Sequence, residues 1–269
     1  MKENSSFEKT HELKIETIKG PNGCEVSFCP LRGGIITSLK LNGKELLFLD
    51  KETFKNKEVS VKGGIPYLFP NAGPLDPNTK FPNLAQHGFA RNLEWKNENT
   101  ENGFCITLVS SEETKKLYPY NFKFSIKGSF NEDSSFTMET EIENLEENED
   151  MPISMGLHPY FNVSNEEKKN IKFNFEGGKY VEEQIESWAN GKAISIENPG
   201  VPIEVEIPGL GTSVIDLSKE FKRIWVWSMS GKDFVCIEPV MRDKNGLLNN
   251  PELIKPKDTF KASVNFKLD

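Results

Sequence analysis

Apolar and polar residues alternate with a period of two along much of this chain. Over 122–130, Phe122, Phe124 and Ile126 fall on one side, with Lys123, Ser125 and Lys127 on the other. Phe136, Met138, Thr140 and Ile142 share one side of 134–142, and Phe260, Ala262, Val264, Phe266 and Leu268 share one side of 259–268. Successive side chains of a strand point to opposite faces, so each stretch predicts a strand with one wet face. Further strands are predicted at 12–18, 24–29, 103–109, 170–175, 202–207, 223–229 and 233–238. Helical periodicity is weak: 44–56 predicts a turn or two, and 216–222 a short turn. Many short strands separated by Gly, Asn and Pro turns predict an all-β fold, a large antiparallel sandwich in a single domain over 1–269. The acidic run from Glu141 to Asp150 reads as a solvated hairpin turn. The polar first ten residues read as disordered.

One segment breaks the alternation. Residues 62–91 hold five prolines and four glycines, which leaves few backbone pairing options, yet their aromatic and leucine content argues against disorder. An ordered irregular loop of this length in a compact fold is usually functional.

Composition narrows the function. The formal charge of −8 argues against nucleic acid or an anionic membrane as partner, since both call for a basic face. No apolar run approaches the length of a membrane span, and no leader-like apolar segment follows Met1. The four cysteines form no C-x-x-C pair, and no metal-ligand cluster is visible, so reduced thiols in a cytoplasmic protein are expected.

Histidine is the side chain that most readily titrates near neutrality, and this chain has three. His11 lies in the polar N-terminal segment, where a surface role explains it. His87 closes the irregular loop, and His158 sits in Gly156-Leu157-His158-Pro159-Tyr160-Phe161. Glu238 ends an apolar run, Phe234-Val235-Cys236-Ile237-Glu238-Pro239, where a carboxylate is costly unless paired or functional. His158 and Glu238 each precede a proline, which favours extended backbone and a fixed side-chain direction.

Four segments, in order, resemble the aldose 1-epimerase family, in particular its branch close to the hexose-6-phosphate mutarotases. They are 63–70 (GGIPYLFP), 86–91 (QHGFAR), 155–161 (MGLHPYF) and 236–239 (CIEP); Asn144 and Met151-Pro152-Ile153-Ser154 extend the likeness, which covers about 12–268. The resemblance implies a β-supersandwich with an open cleft, a histidine acid at His158, a glutamate base at Glu238, and no metal or organic cofactor. It also implies that His87 and an arginine, Arg91 or Arg32, orient the sugar, and that Asp216 binds sugar hydroxyls. The implied reaction takes the proton from the anomeric hydroxyl and gives one to the ring oxygen, which asks for an acid and a base at the same pH.

Lys62 stands where the hexose-phosphate branch often carries arginine. A lysine holds phosphate as a point charge without the bidentate fork. A free aldohexose is therefore expected ahead of a hexose 6-phosphate. Two other functions remain open: a non-catalytic carbohydrate-binding protein, with Phe69, Tyr160, Phe161 and Trp227 stacking on sugar, and a glycoside hydrolase using Asp216 and Glu238 as its two carboxylates.

Overall fold

A computed structural model describes residues 13–100 and 103–269. The expectations for the first ten residues and for His11 lie outside the described residues. The architecture is an antiparallel β-sandwich with a few short helices.

The larger sheet has eight strands, in the order Lys172–Phe173, Ile203–Ile207, Gly211–Leu217, Thr259–Leu268, Phe136–Asn144, Phe122–Phe130, Gly103–Val109 and Lys96–Thr100. Its central strands bury the apolar faces that alternation predicts: Phe122, Phe124, Ile126, Phe136, Met138, Ile142, Val264 and Phe266. Ser125, expected to be wet, is buried instead, with its hydroxyl 3.1 Å from that of Thr107 on the neighbouring strand. The second sheet runs Ile194–Glu197, Arg223–Trp227, Phe234–Val240, Gly156–Leu157 and Tyr67–Leu68, with Tyr160–Asn162 also pairing Phe234–Val240. A four-stranded sheet formed from Glu16–Lys19 to Lys44–Glu45 lies alongside.

Aromatic rings lock the sheets together. Phe69 packs against Phe122 and Phe124 at 4.9 Å between centroids, Phe161 meets Phe266 at 6.3 Å, and Phe28 stacks on Phe104 at 4.1 Å. Each buried ring contributes about 2–3 kcal/mol through the area it removes from water.

Three local expectations are corrected. Residues 141–150 do not form a hairpin turn: Glu141 to Asn144 finish the strand Phe136–Asn144, and Met151–Ile153 pairs instead with Glu252–Ile254. Asn144 ties this bend through Nδ2, which donates to Glu149 O and Ile254 O at 2.8 Å each. Several strands escape the alternation argument, among them Ile35–Leu41, Lys96–Thr100, Ile194–Glu197 and Gly211–Leu217. The short helix Glu112–Leu117 also escapes it, although Ser111 and Thr114 form a capping box.

Candidate active site

Pairing register brings the two candidate catalytic side chains together. On either side of an interruption, Tyr160 pairs Cys236 and Gly156 pairs Val240 in one continuous antiparallel register. The same register sets His158 directly opposite Glu238. Pro159 and Pro239 lie in this gap, and neither has an N–H to give to a ladder. Side chains directly opposite on one face have Cβ atoms about 5 Å apart. His158 Nε2 accordingly lies 3.4 Å from Glu238 Oε1. The backbone of His158 is held from the irregular loop as well, its N–H donating to Pro66 O at 3.1 Å.

Both groups are buried, His158 to 6% exposure and Glu238 to 2%. Burial pushes Glu238 well above the usual carboxylate range, against the pull of Arg91 and Lys62. Burial pushes His158 well below the usual imidazole range, and the charges of His87, Arg91 and Lys62 push the same way. A neutral imidazole beside a carboxylic acid and an imidazolium beside a carboxylate hold the same single proton. The two shifts therefore favour a pair that keeps one proton over a wide pH range. Glu238 Oε2 and His158 Nδ1 have no hydrogen-bond partner among the described residues.

The pair forms the floor of a cleft of about 430 Å³. The irregular loop supplies Lys62, Gly73, Pro74, Gln86, His87 and Arg91 to its lining. Two glycines let that loop pass close to its neighbours. Gly88 has φ +64° and a Cβ there would stand 1.9 Å from Phe69 O; Gly64 has φ +64° and its Cβ would stand 2.2 Å from Ile36 O.

His87 itself sits at φ +65°. Its Nδ1 accepts from Gly73 N–H at 3.0 Å, which puts the ring proton on Nε2, 3.1 Å from the Gln86 amide nitrogen position. Burial, with Arg91 and Lys62 adding to it, lowers this imidazole to about 3. His87 is thus a neutral donor. Its ring meets that of His158 edge-on at 5.6 Å.

Tyr160 stacks on His158 at 4.6 Å and 13°, and Trp227 meets the same imidazole edge-on at 5.8 Å. Lys62 Nζ lies 5.4 Å from the Trp227 ring centroid. Burial and the Arg91 charge lower Lys62, and burial lowers Arg91. Arg91 donates to Gln86 O at 3.0 Å, and its Nε is buried without a partner.

Two expected sugar-binding residues lie elsewhere. Arg32 is buried, and its guanidinium donates to Phe54 O, Thr53 O, Asn56 O and Val59 O at 2.6–3.2 Å. Those carbonyls belong to the end of the helix Lys51–Lys55 and the turn after it, so Arg32 caps them and does not reach the cleft. Asp216 is exposed on the eight-stranded sheet opposite Asn265; alternation sends Ile215 into the core and Asp216 to solvent. Among the stacking candidates, Phe69 and Phe161 are core residues, while Tyr160 and Trp227 line the cleft. Trp225 lines it too and was not foreseen. Its register opposite Glu238 is the signal, and it is visible only once the strands are paired.

His158, Cys236 and Glu238 bring ligand-type atoms within 4.8 Å of one another, a cluster that sequence spacing conceals.

The family model of aldose 1-epimerase matches residues 14–226. The chain belongs to the aldose 1-epimerase family. An Escherichia coli relative, provisionally named as a glucose-6-phosphate 1-epimerase, is 32% identical over 173 residues, covering 62% of this chain and 54% of that protein. A Cenchrus ciliaris protein under the same provisional name is 29% identical, covering 56% and 48%. The chain thus spans about half the length of these curated relatives. The crystal structure of a Synechocystis protein superposes with a TM-score of 0.85 at 25% identity over 96% of each chain. A galactose mutarotase related enzyme of Lactobacillus acidophilus shares the fold, with a TM-score of 0.74 at 22% identity over 95% of this chain and 97% of its own. Among the described residues, no helix of this family member is long and apolar enough to cross a membrane.

Proposed function

We propose that this chain is an aldose 1-epimerase, which interconverts the α and β anomers of an aldohexose with His158 and Glu238 as the proton-exchanging pair. The observation that carries the reading is the buried, directly opposed pair at 3.4 Å on the floor of a lined cleft. His158 gives a proton to the ring oxygen while Glu238 takes one from the anomeric hydroxyl, and the C1–O5 bond breaks. The open-chain aldehyde turns about C1–C2. In closure Glu238 returns its proton to the carbonyl oxygen, and His158 takes one from the C5 hydroxyl as C1–O5 reforms. The pair ends with the single proton it began with. Arg91 and Lys62 favour the carboxylate form of Glu238, which is the form that acts as base. His87 donates Nε2–H to a sugar oxygen, and Tyr160, Trp225 and Trp227 give the ring faces to pack on.

A binding module has no use for a proton-sharing pair. A hydrolase of the usual kind needs a second carboxylate, and Glu238 is the only one among the lining residues described. Polarimetry or exchange NMR on fresh α-anomers tests the reading. Acceleration is expected in the wild type, and no acceleration with any aldose or aldose phosphate would overturn it.

A phosphorylated aldohexose is favoured by one further observation. Lys62 and Arg91 both face the cleft and the only ion pair there among the described residues joins His158 to Glu238. Two cations without a salt-bridge contact in a desolvated cleft suit an anionic substrate. Lys62→Met is expected to raise KM for glucose 6-phosphate about tenfold, the weight of one charge-assisted hydrogen bond, and to leave KM for glucose near its wild-type value. Equal changes for both sugars would count against the phosphate. A cytoplasmic location belongs to the same reading; its support is the four unpaired thiols, which suit a reducing compartment.

A further inference from the structure

A buried cysteine behind the cleft floor joins the floor's own His158 and Glu238 in the make-up of a metal trap. Cys236 and Glu238 are two residues apart on one strand and so share a face, and His158 stands opposite Glu238 on that face. The ligand-type atoms of the three lie within 4.8 Å of one another. All three side chains are more than nine-tenths buried, and Glu238 Oε2 and His158 Nδ1 have no partner among the described residues.

Tetrahedral zinc with bonds of about 2.0–2.3 Å needs its ligands roughly 3.3–3.8 Å apart. The His158–Glu238 separation of 3.4 Å already meets that. Closing the widest separation to that range takes a shift of about 1 Å. The cleft leaves the fourth position to water, the pattern of three protein ligands and one open site. Thiol, imidazole and carboxylate together select a borderline-soft ion over magnesium or calcium, which prefer oxygen alone.

We propose that His158, Cys236 and Glu238 form an inhibitory site for a zinc-type divalent cation, which occupies the cleft floor in place of the sugar. The inhibition rests on the epimerase reading above; the binding does not. Coordination takes Cys236 as thiolate, Glu238 as carboxylate and His158 as a neutral ring. The thiol proton and the proton of the His158–Glu238 pair pass to solvent, so two negative ligands balance the dication. Lys62 and Arg91 line the same cleft and repel a cation. With Cys236 removed, one carboxylate would have to hold the dication against both of them. Cys236 is therefore the residue that makes the site bind.

The test uses the full chain stripped of metal and titrated with Co²⁺ alone, then with Zn²⁺. One equivalent of cobalt is expected to raise a thiolate-to-cobalt charge-transfer absorption, and zinc to abolish it by displacement. Anomer interconversion should fall in proportion to zinc bound and return on chelation. Cys236→Ala should lose the absorption, bind zinc about 100-fold more weakly, roughly one ligand's share of a zinc site, and keep its metal-free rate. Cys236→Val carries the same comparison should the alanine variant not fold. No thiolate absorption at saturating cobalt, or an absorption that survives Cys236→Ala, overturns the site. Full activity with zinc bound overturns the inhibition. If the metal-free protein interconverts no sugar, the epimerase reading fails, while absorption and stoichiometry still decide the metal site.

Discussion

A carboxyl group and an imidazole buried side by side destabilise a fold unless each finds what the other lacks. Glu238 and His158 do so only in part, since each keeps one polar atom without a partner. That residual cost falls where the chemistry is proposed, as expected when stability is given up for function. Glu238→Gln removes the base, keeps the volume and removes a group whose ionisation burial opposes. The expected outcome is a fall in kcat of about 10³-fold, within the usual range for a general base, with thermal stability equal to or above wild type. Melting temperature and anomerisation rate on one preparation check it. A variant retaining more than a tenth of the activity would remove Glu238 from the mechanism. In the sequence these two residues stood out modestly, through their types and the prolines behind them. Their meeting depends on strand pairing, which no local pattern encodes.

The irregular loop over 62–91 gains its order from a few close approaches. His87 N–H donates to Gly73 O while His87 Nδ1 accepts from Gly73 N–H, a reciprocal clamp that sets the tautomer. Gly88, next along, passes over Phe69 O. Gly88→Ala is expected to cost about 3 kcal/mol, from a left-handed backbone and a carbonyl at 1.9 Å, and to lower activity by displacing His87. Chemical denaturation measures the first effect; a loss under 1 kcal/mol would show that the loop yields. Strands 122–130 and 259–268 were legible because one face is apolar and the other polar, the condition under which period two shows. Ile35–Leu41 was not, because five of its seven residues are buried and both faces lie against other elements. Arg32 and Asp216, carried over from the resemblance, were misplaced for a related reason: a charged residue reads alike in sequence whether it caps a helix, faces solvent from a strand or lines a cleft.

Across the whole molecule, the aromatic core supplies the stability that lets neutral histidines sit in the site, and pH exposes the balance. His87 titrates at about 3 in the folded chain, against about 6.5 when unfolded. Below pH 6.5 the unfolded chain binds a proton that the native state refuses, so stability falls as pH drops from about 6.5 toward 3; above 6.5 this contribution is constant. His158, lowered in the same direction, adds to the slope. Glu238, raised by burial, acts oppositely: the native state keeps its proton after the unfolded chain has lost it, so that contribution weakens as pH rises above about 4.5. The net curve mixes all three groups, but a comparison at one residue separates them. Asparagine tolerates the left-handed backbone at position 87 and does not titrate. Between pH 7 and pH 4.5, wild type should lose about 2–3 kcal/mol more unfolding free energy than His87→Asn, since each pH unit below 6.5 is worth about 1.4 kcal/mol. Urea titrations at the two pH values measure it, and equal losses in both proteins would mean that His87 takes up its proton in the folded state.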